Sequence, residues 1–225
     1  MKAFGLIPVK NLSRSKERLS RILSLEERRA LVLSMLEDIL EETSNSTLHR
    51  TVIVGSDGEV QLVAERFDAL FLEDPGWTVN DSLNYALKWC SGMGAEAVLI
   101  VPSDVPLVSR EDLNMIVHLS EEFSVVLSPS KDGGTTALML KPPSIIKTCF
   151  GPGSFVRHLK AASEKGIPVK VYRSRRLSLD IDTIQDLKLL LKSGSGKLCY
   201  RFLKQIRVDE RLKEIESSPS FSNLF

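Results

Sequence analysis

No run of eighteen apolar residues occurs in the 225-residue chain, so no segment reads as a transmembrane helix. The apolar stretch within Met1–Pro8 is too short for the core of a secretory leader. Cysteine is scarce. Cys90, Cys149 and Cys199 are odd in number and far apart, with no CxxC pair. That excludes a disulfide framework and a zinc ribbon, and leaves the expectation of buried thiols in a reducing cytoplasm. The three histidines, His49, His118 and His158, are scattered. His118 and His158 fall in helix-like stretches, where a surface or packing role is expected. Neither charge sign is in excess: 30 Lys and Arg face 29 Asp and Glu, which argues against a broad nucleic-acid surface. Neither GxGxxG nor GxxxxGK[ST] follows the first apolar run, so a dinucleotide or Walker-type site has no support.

What is present is enough for one sizeable α/β core, with 43% hydrophobic and 26% charged residues. The central stretch is Val98-Leu99-Ile100-Val101, an apolar run typical of a strand buried on both faces. Pro102 ends it and Asp104 follows, with Pro106 beyond. Two prolines stiffen the turn and hold Asp104 past the carboxyl end of a central strand, where open α/β sheets bind ligands. Ser109 offers its own helix cap downstream, so Asp104 is not needed for that task.

Before this point strands alternate with helices. Ala3 to Val9, Thr51 to Gly55 and Ala69 to Leu72 read as strands. Ser24 with Glu27 reads as a capping box before a long amphipathic helix, and two more helices cover Val60 to Phe67 and Asn80 to Ser91. That order predicts a parallel sheet covered on both faces. After the helix at Arg110 to Leu119 the order changes. Ser124 to Ser128 and Thr136 to Leu140 are strands joined by too few residues for a crossover, so a mixed, mainly parallel sheet in a three-layer α/β/α arrangement is expected. A helix at Phe155 to Lys165, a strand at Pro168 to Tyr172, a helix from Ile184 capped by Thr183, and a helix at Lys197 to Ile206 complete a domain of residues 1–206. Residues 207–225 are expected to be a peripheral tail.

Three clusters carry candidate chemistry. Lys10, Arg14, Lys16 and Arg18 follow the first strand. They suit a triphosphate, or they form a solvated helix face. Asp180 and Asp182, two apart, would face one side if the segment were a strand. With Asp104 they could form an oxygen-only Mg²⁺ site. Asp182 could instead help cap the next helix, although Thr183 already fills that role. Finally, Gly133-Gly134-Thr135-Thr136 and Gly151-Pro152-Gly153-Ser154 pair small hydroxyls with close-approaching backbone, as an anion-bearing second substrate requires. Each could also be a plain turn.

The ordered set Ile7-Pro8-Val9-Lys10, Ser15-Lys16-Glu17-Arg18-Leu19, Leu83-Asn84-Tyr85-Ala86-Leu87, Pro102-Ser103-Asp104-Val105-Pro106-Leu107, Gly133 to Leu138, Phe150 to Phe155 and Asp180-Ile181-Asp182-Thr183 resembles the 2-phospho-L-lactate guanylyltransferase family of coenzyme F-420 biosynthesis. The resemblance runs from the first strand to about Leu191. It implies a nucleotide-diphospho-sugar transferase (glycosyltransferase-A-like) fold and transfer of GMP from GTP to 2-phospho-L-lactate or phosphoenolpyruvate, with Mg²⁺ and release of pyrophosphate. It also implies a homodimer, with neither nucleic acid nor membrane as partner. By the same resemblance Lys10, Lys16, Arg18 and Asn84 lie at the nucleotide, with Lys10, Lys16 and Asp104 catalytic. Asp104, Asp180 and Asp182 carry the metal, and Thr135, Thr136, Gly151 and Ser154 cradle the acceptor. The rival readings are a cytidylyl- or molybdenum-cofactor-type transferase of the same fold, or a silent nucleotide-binding module.

Overall fold

A computed structural model describes residues 1–217. Strand β1 (Ala3–Pro8) lies between β2 (Arg50–Gly55) and β4 (Ala97–Ile100), parallel to both. Strand β3 (Leu70–Glu73) extends the sheet beyond β2. On the other side β4 pairs antiparallel with β6 (Thr135–Leu140), β6 antiparallel with β5 (Val125–Pro129), and β5 parallel with β7 (Val169–Val171). The order is thus β3-β2-β1-β4-β6-β5-β7. Among the described strands, β6 alone runs against the rest. The link from Ser130 to Gly134 is too short for a crossover, and a hairpin is the only connection left.

Helices cover both faces, because alternate strand residues point to opposite sides. Ile7 and Leu99 join one buried cluster, with Leu31 and Met35 of α1 (Leu25–Ser44), Val60 of α2 (Gly58–Arg66) and Leu113 of α4 (Arg110–Leu119). Leu6, Val98 and Ile100 join the other, with Leu83 and Ala86 of α3 (Val79–Gly92) and Ala162 of α5 (Ser154–Ser163). Val98, Leu99 and Ile100 are wholly buried; each such side chain stabilises the fold by about 1.5–3 kcal/mol. The expected capping box forms at Ser24 with Glu27, and the expected cap at Thr183 forms as part of a box with Asp186, opening α6 (Ile184–Ser193).

The carboxyl-terminal helices belong to the first cluster. The buried Asp38 of α1 accepts hydrogen bonds from the backbone N–H groups of Leu198 and Cys199, at 2.6 and 2.9 Å. It thereby caps α7 (Leu198–Gln205), which has no side-chain cap of its own. The stretch expected to be peripheral opens with a further helix, α8 (Val208–Ser217). Its Val208 and Leu212, one turn apart, are buried in that cluster, and Arg211 makes a two-pronged ion pair with Glu27 at 2.8 and 2.9 Å. The packed domain therefore does not stop at residue 206; the rest of that stretch, 218–225, lies outside the described residues. Where the sheet changes direction of winding, between β1 and β4, the carboxyl ends of two central strands lie side by side, which is where such sheets hold ligands.

Candidate active site

Past β1 the chain makes two short turns, Leu12–Arg14 and Glu17–Leu19, anchored by the fully buried Leu12 and Leu19. Lys16 stands between them with φ of +51°, a left-handed conformation costly for a lysine. That geometry turns its ammonium inward. Its side chain is only 8% exposed, and Nζ donates to Asp104 Oδ2 at 2.9 Å and Asp182 Oδ1 at 2.7 Å. Burial alone would favour the neutral amine, but the Asp104 and Asp182 carboxylates outweigh it and raise the lysine's pKa. Asp182 is correspondingly lowered. Burial opposes ionisation there, and the Lys16 ammonium overcomes it, with smaller help from Arg18 and Lys10. Lys10 itself is exposed just past β1.

The segment Ser178–Thr183 is not a strand. It is an irregular connection tied on both sides: Ile181 N–H donates to the Asp104 carbonyl at 2.9 Å, and Lys131 N–H donates to the Ser178 carbonyl at 3.2 Å. Asp186, almost fully buried, fixes its end by accepting from the Asp182 and Thr183 amides at 3.0 and 2.7 Å while paired with Lys131. So Asp180 and Asp182 do not share a face by strand alternation. Asp182 goes to Lys16. Asp180 has a buried Oδ1 with no hydrogen-bond partner. Burial first, and then the Asp104 charge, push its pKa up to about 6. An ionised carboxylate in that position calls for a cation. With the Lys16 ammonium between Asp104 and Asp182, no group of three or more His, Cys, Asp or Glu side chains is arranged around one metal position among the described residues.

The two glycine-hydroxyl loops meet. Phe155 N–H donates to the Gly133 carbonyl, and Ser154 Oγ donates to Thr135 Oγ1 at 3.0 Å. A β-bulge aims Thr135: Ser128 pairs with Ala137 but Pro129 pairs with Thr135, so the register slips by one. Without the slip Thr135 would lie on the face of Ala137 and Met139. With it, the hydroxyl turns to α5 and lies 3.1 Å from His158 Nδ1. The Thr136 hydroxyl instead donates to the Ser128 carbonyl at 3.3 Å. Gly151 and Gly153 take φ of +118° and +67°, which side-chain-bearing residues rarely adopt. Arg157 holds this loop by donating to the carbonyls of Cys149 and Pro152.

Asn84 is held by the backbone around it. Its Oδ1 accepts from Thr148 N–H at 3.2 Å and its Nδ2 donates to the Asn80 carbonyl at 2.7 Å, so both ends of the amide are engaged by backbone. Beside it, Asn80 clamps Phe150 through both backbone groups, at 2.7 and 3.0 Å. The asparagines thus steady the approach to the Gly151–Ser154 loop. A cleft of about 450 Å³ along α3, lined by Trp77, Asp81, Asn84, Tyr85 and Lys88, contains none of the charged cluster. Asn80, Arg157 and His158 were not singled out as site residues from the sequence. The one signal available for His158 was its position four residues after Ser154, on the same helical face.

The chain matches the family model described as "Guanylyl transferase CofC like" over residues 2–220. It is 32% identical to the 2-phospho-L-lactate guanylyltransferase of Methanobrevibacter smithii, over 96% of this chain and 98% of that one. To the phosphoenolpyruvate guanylyltransferase of Roseiflexus sp. RS-1 it is 37% identical, over 89% and 92%. Its fold superposes on that of a proposed nucleotide-diphospho-sugar transferase from Desulfovibrio desulfuricans G20 with a TM-score of 0.78, at 16% identity, over 95% and 97% of the two chains. In sequence, over nearly its whole length, this chain belongs to the CofC-like guanylyl transferase family.

Proposed function

We propose that this protein transfers GMP from GTP to 2-phospho-L-lactate or phosphoenolpyruvate, releasing pyrophosphate, in the formation of coenzyme F-420. The observation that carries the reading is the meeting of two unlike clusters at the carboxyl ends of β1 and β4 and the amino end of the reversed β6. A charged one, built on Lys16, Asp104, Asp180 and Asp182, suits a triphosphate and a cation. A neutral one, built on Thr135 and Ser154, suits a small anion. The loop from Lys131 to Gly134 joins them, since Lys131 binds the Ser178 carbonyl and Gly133 binds Phe155.

In the reaction an oxygen of the acceptor's phosphate attacks the α-phosphorus of GTP. A new P–O bond forms, the bond from the α-phosphorus to the bridging oxygen breaks, and pyrophosphate leaves with that oxygen. No side-chain nucleophile is required; positioning and charge neutralisation suffice. Lys16, with Lys10 and Arg18 nearby, neutralises the triphosphate. Lys16 is also the countercharge of Asp104 and Asp182, so binding of a polyphosphate draws on an ammonium already held in place.

The chemistry of the donor set suits Mg²⁺, although Lys16 stands between Asp104 and Asp182 and the carboxylates are not gathered around one position. The donors are hard carboxylate oxygens, and the unpartnered Asp180 Oδ1 is a buried acceptor with nothing to accept from. Asp104, Asp180 and Asp182 would hold it, and it would supply further neutralisation of the phosphates. The test is pyrophosphate release from each of the four nucleoside triphosphates, with Mg²⁺ and each phospho-acid in turn. Release that requires both GTP and a phospho-acid is expected. Release that prefers CTP would favour the cytidylyl alternative, and binding without release in every combination would favour a silent module.

A further inference from the structure

His158 is completely buried, yet it is not enclosed by apolar groups alone. The backbone N–H of Cys149 donates to its Nε2 at 2.8 Å. An amide N–H cannot accept, so Nε2 must carry a lone pair. A neutral imidazole has one proton, and here that proton sits on Nδ1. The ring is neutral in the working range, because burial, and then the neighbouring Arg157 charge, hold its pKa down to about 4. Nδ1 lies 3.1 Å from Thr135 Oγ1. Phe150 packs edge-on against the imidazole, at 5.1 Å between ring centres, and fixes its plane.

The proton count then determines what the hydroxyl pair can do. Thr135 Oγ1 accepts from His158 Nδ1–H and from Ser154 Oγ–H. Both of its lone pairs are engaged, so its own proton is left to donate. Ser154 and His158 are sealed, whereas Thr135 keeps 7% of its surface open. The one free valence of the network is therefore a donor at its only open member. We propose that His158 is a positioning residue for the acceptor substrate: locked by the Cys149 amide as the Nδ1–H tautomer, it polarises the Thr135–Ser154 pair into a one-way donor aimed at an anionic oxygen of the phospho-acid. The pair then rejects a ligand that offers a donor at this point and favours one that offers a carboxylate or phosphate oxygen. This rests on Thr135 and Ser154 being the acceptor cradle.

The experiment compares His158→Gln with His158→Asn, measuring KM separately for GTP and for whichever phospho-acid the wild type uses. The Gln side-chain oxygen reaches the Nε2 position and can still accept from Cys149, but it offers Thr135 no donor. The Asn amide nitrogen occupies the Nδ1 position and restores that donor. His158→Gln is expected to raise the acceptor KM about ten-fold or more, the effect of a lost bond to a charged partner, with the GTP KM changed less than about two-fold. His158→Asn is expected to recover most of that loss, and adding Thr135→Val to His158→Gln should cost little more, since both act through one hydroxyl. Nitrogen NMR of the wild-type ring at neutral pH should show Nδ1 protonated and Nε2 bare. A proton on Nε2, an equal rise in both KM values, or fully additive losses would overturn the proposal. The NMR measurement decides the tautomer even if a variant fails to fold. Should Thr135→Val and Ser154→Ala leave the acceptor KM unchanged, the cradle assignment itself falls and the proposal with it. Should they raise it while His158→Gln does not, only the histidine's role falls.

Discussion

The two halves of the site differ in what they lack. Around Lys16 the structure gathers opposite charges, a left-handed lysine and a buried carboxylate oxygen with no partner. Around His158 each of the three side chains is neutral and hydrogen-bonded to the next. The first is incomplete without a ligand; the second is complete except for one outward donor. A triphosphate with its cation brings large charge, and a site can prepare for it only by holding charge at some cost to folding. A three-carbon acid brings small, directional oxygens, and a neutral network can be set for them in advance. Substitutions should therefore act differently in the two halves.

The largest effect is expected for Asp104→Asn. The amide keeps the shape and can still lie beside Lys16, but it removes a full charge from the cation site. Turnover should fall at least about 100-fold, ~2.7 kcal/mol in the barrier, with the fold retained. Saturation with Mg²⁺ should not restore it; near-normal rates at high Mg²⁺ would remove Asp104 from the cation site.

Lys16→Ala comes next. It takes away the countercharge of two carboxylates and a partner of the triphosphate. A loss of about 1.5–3 kcal/mol in kcat/KM for GTP is expected, with little change in acceptor KM. The same variant should let the Asp182 pKa rise, because the Lys16 charge is what holds it down. Unchanged GTP kinetics would mean that the lysine serves only to join two loops.

Asp180→Asn should separate stability from activity. Asp180 titrates at about 6 against an ordinary 3.8. Between those values the folded metal-free chain binds more protons than the unfolded one, so this group makes stability fall as pH rises from about 4 to 6. Above pH 6 the ionised carboxylate costs on the order of 1–2 kcal/mol, allowing for its partial contact with solvent. The Asn variant should lose turnover yet melt higher than wild type at pH 7 without Mg²⁺, and the difference should vanish near pH 4. Asp182, whose pKa is lowered, has the opposite sign: its contribution is present at neutral pH and lost in acid. A variant that melts lower than wild type at pH 7 would show that Asp180 has a partner in the folded chain.

Much of this arrangement was legible in the chain itself. The apolar run Val98–Val101 and the prolines around Asp104 locate a central strand and its exit, because burial and a missing N–H leave few alternatives. The reversed β6 follows from a short connection. Less legible was anything that depends on one residue's departure from regular geometry. The parity rule applied to Asp180 and Asp182 presupposes a strand, and the segment is irregular. The bulge opposite Ser128 and Pro129, which decides where Thr135 points, has no marker in the sequence. Lys16 in a left-handed conformation is unexpected from composition, since glycine or asparagine is the usual occupant. A lone helical histidine such as His158 reads as packing, and only its partners reveal otherwise. The charge of residues 207–217 points to a peripheral segment, yet Val208 and Leu212 are enough to seat a helix when a hydrophobic groove awaits them.

The smallest effect should come from Thr136, and it is the one that best separates the two threonines. Both lie in the same Gly-plus-hydroxyl loop, and the sequence gives no ground for treating them differently. The structure does. Thr136 is 2% exposed, and its hydroxyl donates to the Ser128 carbonyl at 3.3 Å, a long bond within the hairpin. Thr136→Val keeps the branched shape and removes that bond, leaving a carbonyl with one partner fewer. Stability should drop by about 0.5–1.5 kcal/mol, the usual worth of one neutral hydrogen bond. The acceptor KM should stay within about two-fold of wild type, in contrast with the larger rise expected for Thr135→Val. Thermal melting and acceptor kinetics on the two variants together provide the check. A rise in acceptor KM for Thr136→Val as large as that for Thr135→Val would mean that the Thr136 hydroxyl turns from Ser128 to the substrate, and that the acceptor cradle reorganises on binding instead of being set in advance.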